Sequence, residues 1–177
     1  MRLIKFVFLV PLLFSCIKEK PKPVPLTETL SNGVVVLCEG LFQQNNASLS
    51  WVSHSESNVS NTLFTTKTGR QLGDTGNDIK RYGGKVYVVV NVSSTLEVID
   101  ANTFHSIKQI PMQSGGVSKQ PRNIEFYNGK AYVTCYDGYV DVIDTTSLTV
   151  IERIPVGLNP EDLTISGSKL YVSNSGG

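Results

Sequence analysis

Residues 130–145 read KAYVTCYDGYVDVIDT. Two short runs, Lys130–Cys135 and Tyr139–Asp144, alternate apolar and polar or β-branched residues with a period of two. Tyr136-Asp137-Gly138 separates them, and Asp-Gly is a turn signal between alternating runs. The stretch is therefore a β-hairpin. Working outward, RNIEF (122–126) precedes it across the turn YNG, and TVIERIPV (149–156) follows it across DTTSL. That makes four consecutive strands joined by tight turns, with Asp144 opening the last one.

The same phrase recurs along the chain. Tyr132 has counterparts at Tyr87 and Tyr171, separated by 45 and 39 residues. Asp144 repeats Asp100, and Ile154-Pro155 repeats Ile110-Pro111, both at a spacing of 44. A period near 40–45 built from short Val/Ile/Tyr/Thr strands fits one four-stranded propeller blade per repeat, and the composition excludes helical solenoids of similar period. A second full blade reads NDIKRY, KVYVVV, TLEVID and SIKQIP (77–111). GVVVLC (33–38), SLSWVS (48–53) and TLFTTK (62–67) supply second, third and fourth strands without a first. EDLTI and KLYVS (161–173) supply a first and second strand only. The fold expected is all-β: a β-propeller of four-stranded antiparallel blades, here an incomplete N-terminal portion with two full and two partial blades. Closure takes about 4–8 blades, so the sequence reads as the front part of a longer protein.

Composition narrows the function. Sixteen basic residues stand against fifteen acidic ones, at formal charge +1, and no basic stripe interleaves with aromatics. This argues against a nucleic-acid binder. No Gly-x-Ser-x-Gly elbow, phosphate-binding glycine loop or paired-His metal motif occurs. GDTGND (73–78) lacks the acid spacing of a calcium loop. No cofactor or metal is expected.

The N-terminus is organised differently. Arg2 and Lys5 precede FVFLVPLLF (6–14), and Ser15-Cys16 follow. A positive start, a short apolar run and a small residue make an export leader. LFSC (13–16) resembles the bacterial lipobox, which implies cleavage before Cys16 and lipidation of its thiol. Residues 1–15 then form the signal peptide, 16–31 a lipidated Lys/Pro-rich tether, and 32–177 the partial propeller. IKEKPKPVP favours an extended, solvated backbone. Cys38 and Cys135 sit in apolar runs as small buried hydrophobes and are not expected to pair.

Topology locates a binding face. In an antiparallel blade, the start of the first strand and the loop between the second and third lie at the same end. Asp74, Asn77 and Asp78, Arg122 and Asn123, and Asn159, Glu161 and Asp162 occupy first-strand starts. Gln44, Asn45, Asn46, Asn91, Tyr136, Asp137 and Asn174 occupy the facing loops. Loops on a rigid scaffold concentrate binding residues, and this set is amide-rich. The same residue types also make turns, and Asp100 and Asp144, at the opposite end, are read as turn residues alone.

GKAYVTCYDGYVDVIDTTSLTVIERIPVG (129–157) is similar to the YVTN-repeat propellers. CEGLFQQNNASLSWV, LGDTGNDIKRYGGKVYVVVNVSSTLEVIDA and PEDLTISGSKLYVSNSGG resemble the exported propeller lipoproteins of Gram-negative gut bacteria. That resemblance implies a surface-tethered binding protein in the outer membrane, with cobalamin as ligand and an outer-membrane transporter as partner. A scaffold for a surface glycan or protein is the alternative. A propeller enzyme of the lactonase or quinone-dependent dehydrogenase type is a third reading.

Overall fold

The computed structural model describes residues 30, 32–54 and 59–176. The leader, Cys16 and the tether up to residue 29 fall outside the described residues. Fifteen strands and one helix are described, in four consecutive sheets and one small hairpin. The first sheet has the order β1 (Gly33–Cys38), β2 (Ser48–Ser53), β3 (Val59–Ser60). Helix α1 (Leu63–Thr68) follows it. The second is β4 (Gly76–Tyr82), β5 (Lys85–Val90), β6 (Thr95–Asp100), β7 (Ser106–Pro111). A hairpin of β8 (Gln113–Ser114) and β9 (Val117–Ser118) leads to the third sheet: β10 (Pro121–Tyr127), β11 (Lys130–Cys135), β12 (Tyr139–Asp144), β13 (Thr149–Pro155). The last pair is β14 (Pro160–Ser166) with β15 (Lys169–Asn174). Every pairing is antiparallel between sequence neighbours. The sheets are consecutive blades of an incomplete β-propeller.

Stacking explains the composition of each strand. β5 is apolar on both faces because both are covered. Val86, Val88 and Val90 pack with Leu49, Leu63, Phe64 and Leu72 of the preceding blade region, while Tyr87 and Val89 pack with Ile124, Ala131 and Val133 of the following blade. A fully buried valine or leucine contributes about 1.5–3 kcal/mol, so these two clusters hold the blades together. β15 repeats the same motif but lacks a covering blade among the described residues, and Tyr171 is half exposed. β1 likewise exposes Val34 and Val36.

One expected strand is a helix. The sequence TLFTTK suits a fourth strand, yet Leu63–Thr68 is α1, and only the two-residue β3 borders β2 on that side. Leu63 and Phe64 are adjacent and both buried. A strand would send them to opposite faces, whereas one helical turn turns both under β2. The Thr68 hydroxyl donates back to the Phe64 carbonyl, and Gly69, at φ 74°, ends the helix in the left-handed region.

Each first strand shifts register near its start, between Gly76 and Asp78, Pro121 and Ile124, and Pro160 and Leu163. Such bulges re-aim side chains. Asn123 and Asp162 lie within these shifts, and Asp78, at the equivalent place, is the first residue paired after its own. Thr134 Oγ1 accepts the Asn123 amide at 3.0 Å, and Ser173 Oγ accepts the Asp162 amide at 3.2 Å. The hydroxyl of the repeated Tyr-Val-Thr/Ser phrase therefore satisfies an amide that the bulge releases from the ladder.

Candidate functional site

The first-strand starts and the loops after the second strands meet at one end of the stack. Between β1, β4 and the start of β10 they enclose a cleft of about 580 Å³, lined by Val35, Val36, Leu37, Glu39, Gly76, Asn77, Asp78, Ile79 and Arg122. It runs along the edge of β1, which has no first strand beside it among the described residues, where β5, β11 and β15 are each paired with one. The Gly76 amide donates to the Glu39 carbonyl at 3.1 Å and fixes the two blades at the cleft. A Cβ on Gly76 would come within 2.7 Å of Leu37 Cδ1, so β1 approaches β4 closely only because that residue is glycine.

Three residues expected at a binding face line the cleft: Asn77, Asp78 and Arg122. Asn77 Oδ1 is buried with no hydrogen-bond partner, as is Asn123 Oδ1 in the neighbouring first strand. Asp78 bridges the two strands. Its Oδ1 accepts the Ile79 amide at 2.8 Å and its Oδ2 accepts the Ile124 amide at 3.0 Å. Burial nevertheless raises its carboxyl above the ordinary aspartate range, against those bonds and the nearby Lys80 ammonium.

Arg122 joins the cleft to a second group. Its Nε and Nη2 lie 2.9 Å from Glu161 Oε2, and its guanidinium stands 4.8 Å from the centre of the Tyr136 ring. The Tyr136 hydroxyl and Ser175 Oγ both donate to Glu161 Oε1. These bonds, the Tyr136 one foremost, hold the Glu161 carboxyl below its usual range, while burial raises the Tyr136 phenol.

The other expected residues build the loops. Asp74 accepts the Gln43 and Asn45 amides at 3.1 and 2.9 Å and the Thr75 hydroxyl at 2.7 Å, and the Thr75 bond foremost lowers its carboxyl. Asn46 Oδ1 accepts the Leu41 amide, and the Gln44 amide donates to the Leu41 carbonyl. Asn91 Nδ2 donates to the Pro121 carbonyl, and Asn174 Nδ2 to the Val156 carbonyl. Asp137 pairs with Arg153 at 2.5 Å, Asn159 turns the chain at φ 48°, and Asp162 Oδ1 accepts the Leu163 amide.

Sequence reasoning missed Glu39 and Ser175 at the rim. Glu39 follows its second strand directly, where Asn91 and Tyr136 follow theirs, and this offset was the available signal. It also missed the interior ion pairs. Glu97 and Asp141 hold the same position in the third strands and are fully buried. Glu97 takes both guanidinium nitrogens of Arg70, at 2.9 and 2.6 Å, and a bond from Gln109. Asp141 takes Lys119 at 2.6 Å and Arg153 at 2.7 Å. An acid within TLEVID and YVDVID, where apolar residues flank it on both sides, announces such a pair. In the first sheet that position is Ser50, which donates to Asn61 Oδ1.

Among the described residues no three His, Cys, Asp or Glu side chains gather as a metal-binding group. Cys38 and Cys135 are both free thiols; Cys38 is exposed, against the burial expected of it, because nothing described covers that face of β1. Cys135 lies in the core, where burial pushes its thiol up.

No curated protein matches the sequence. Solved structures do match in fold. The computationally designed Ika8 protein aligns at a TM-score of 0.54 and 11% identity over 81% of this chain and 40% of its own. The dihydro-heme d1 dehydrogenase NirN, in complex with DHE, aligns at 0.50 and 14% over 72% of this chain and 28% of its own. This chain thus spans less than half the length of either, and at such identities the likeness carries the fold alone. Residues 32–176 match the family described as "Domain of unknown function (DUF5074)", a span that takes in both full blades and the cleft, and the chain belongs to that family.

Proposed function

We propose that this protein is a ligand-binding propeller whose loop face captures a small molecule, with cobalamin the preferred candidate. The observation that carries this reading is the polar rim at the starts of β4 and β10: Asn77, Asp78, Arg122 and Asn123 gather there, and Asn77 Oδ1 and Asn123 Oδ1 have no partner among the described residues. A buried acceptor without a donor costs about 1–3 kcal/mol. A ligand fringed with primary amides supplies donors of that kind and removes the cost. Cobalamin would rest across this rim and the surrounding loops. Titration calorimetry of the purified protein with cobalamin tests this. The expected result is saturable binding that changes little with salt, because the contacts are to neutral groups. Absence of heat removes cobalamin and leaves a glycan or protein ligand as the better reading.

The proposal extends to location. The leader and Cys16 support lipid attachment at the outer membrane with the propeller facing outward, where a transporter would receive the ligand. Replacing Cys16 with Ser should abolish incorporation of labelled palmitate and release the protein from the membrane fraction, since several acyl chains anchor firmly. Unchanged membrane retention would remove the lipoprotein assignment.

A further inference from the structure

We infer that the β8–β9 hairpin is a clasp: it bends over the rim, touches the captured molecule and slows its release. This rests on the binding reading above and assigns a contact element to it.

Two connectors between blades isolate the hairpin. Residues 112–120 join β7 to β10, and residues 156–159 join β13 to β14. Both do the same structural work. Each ends in a left-handed residue, Gln120 at φ 50° and Asn159 at φ 48°, whose carbonyl accepts the amide of the residue that follows the second strand. Tyr136 donates to Gln120 at 3.2 Å and Ser175 to Asn159 at 2.9 Å. The shorter connector suffices for this, so Gln113–Ser118 is an addition that the blade connection does not use. Its base is fixed. Met112 and Lys119 are buried, the Met112 amide donates to the Ser94 carbonyl at 2.8 Å, and the Lys119 amide donates to the Met112 carbonyl and to Ser94 Oγ, each at 3.1 Å. Its tip is free. Only the pairs Gln113–Ser118 and Ser114–Val117 hold the arms together, and a Cβ built on Gly115 or Gly116 would meet nothing within 4 Å. Gln113 and Ser114 are exposed, and Val117 is 70% exposed. A hairpin of two strands alone is marginally stable in water, so the arms bend and re-form while the base stays in place.

The rim is within reach. The base sits at the third strands: Ser94 directly precedes β6, and Lys119 Nζ lies 2.6 Å from Asp141 on β12. From a third strand to a first is two strand spacings, about 10 Å, and an arm of three extended residues spans about the same. Arg122 and Asn123 follow the hairpin in the chain, and the Gln120 carbonyl ties its root to Tyr136. The side chains it carries are Gln113, Ser114, Val117 and Ser118, which are neutral hydrogen-bonding groups and one aliphatic group, without charge. They suit an uncharged ligand edged with amides that meets Asn123 Oδ1 from the other side. A hairpin laid over such a ligand covers Val117 and shields the hydrogen bonds beneath it from water. Dissociation then slows, while the rate of encounter hardly changes.

The test replaces residues 113–118 by Asn-Gly. The Lys119 amide then closes a tight turn onto the Met112 carbonyl, a bond it already makes, and Asn-Gly suits a two-residue hairpin loop. The melting temperature should not change. Release of cobalamin, followed by stopped flow, should quicken about tenfold, with the association rate changed by less than about twofold. Val117→Ser, with the hairpin intact, should quicken release in the same direction and by less, and it decides the matter alone if the shortened chain fails to fold. In nitrogen-15-labelled protein, the amides of residues 114–117 should exchange faster than those of β10 before cobalamin is added and slow once it is bound. Equal release rates for the parent and both variants remove the clasp and leave capture standing. Amides at 114–117 as protected as those of β10 in the free protein would make the hairpin a rigid part of the fold and overturn the inference. No heat from the parent removes cobalamin and the clasp together.

Discussion

The outer strands and hairpins of the two full blades differ from the inner rim in how their polar groups are satisfied. On the outer side the buried acids and the turn acids have donors. Glu97 and Asp141 hold cations and amides in the third strands, and Asp100 and Asp144 each gather two backbone amides at the following turn. At the rim, Asn77 Oδ1 and Asn123 Oδ1 have no partner, and burial raises the Asp78 carboxyl. Two buried hydroxyls away from the rim, Tyr87 and Thr95, also lack partners, so the contrast lies in the charged groups, which there maintain the fold. The rim is left partly unsatisfied, and a surface kept in that state at some cost to stability is where a ligand has most to offer.

The largest test of this contrast is Asp141→Ala. It strands Lys119, whose side chain is only 7% exposed, and breaking such a buried pair costs about 3–5 kcal/mol. Glu97→Ala should cost less, because the Arg70 side chain is 37% exposed and can turn to water. Chemical denaturation of both variants reads the difference. Equal losses would show that the two blades are not held in the way their burial implies.

Next come the hairpin aspartates. Asp144→Ala and Asp100→Ala should each lower the melting temperature by a few degrees while leaving ligand affinity in the folded protein unchanged. A change in affinity would connect the two ends and break the contrast.

The pH dependence separates the regions by sign. Hydrogen bonds from backbone amides lower the folded-state carboxyls of Asp100 and Asp144, with Thr103 and Ser147 the leading donors. Their stabilisation is present above the unfolded value and is lost as pH falls through the lowered one. Asp78 is raised, so its contribution is present below the unfolded value and lost as pH rises through the folded one. Asp144→Asn should therefore flatten the acid limb of a melting-temperature profile. Asp78→Asn should gain most, relative to the parent, near about pH 7 and least near about pH 4. A uniform offset across that range would contradict the assignment.

The smallest stability effect belongs to the rim. Asn77→Ala removes a buried unsatisfied atom and also the packing of its side chain, so folding should be unchanged or somewhat strengthened. Cobalamin affinity should nonetheless fall by about tenfold, or 1.4 kcal/mol. A large stability loss would mean that Asn77 supports the fold and would count against the rim.

The strands of the full blades were legible because the cores they form are periodic. KVYVVV and KAYVTC declare themselves by alternation and by their turns, and Asp100 and Asp144 by their place at a hairpin. Leu63 and Phe64 were misread because six residues of Thr, Leu, Phe and Lys fit either period, and burial against β2 settled the matter. The rim was legible only in outline. Topology gives the end of the blade on which Asn91 and Asp74 lie, but the choice between turning inward to the Pro121 carbonyl and facing a ligand depends on distances between blades. The pairings of Lys119 and Arg70 share that cause, since each base reaches its acid across 22 and 27 residues.

Those interior pairs also bear on how such a chain multiplies. Arg70, Glu97 and Gln109 fall within one repeat, and Lys119, Asp141 and Arg153 within the next. A gene duplication that copies one unit, from its connector through its fourth strand, copies a buried acid together with its counter-ion. A new blade inherits a neutral interior from the moment it arises, and later drift can exchange Arg for Lys or Glu for Asp without a stage in which a charge is orphaned.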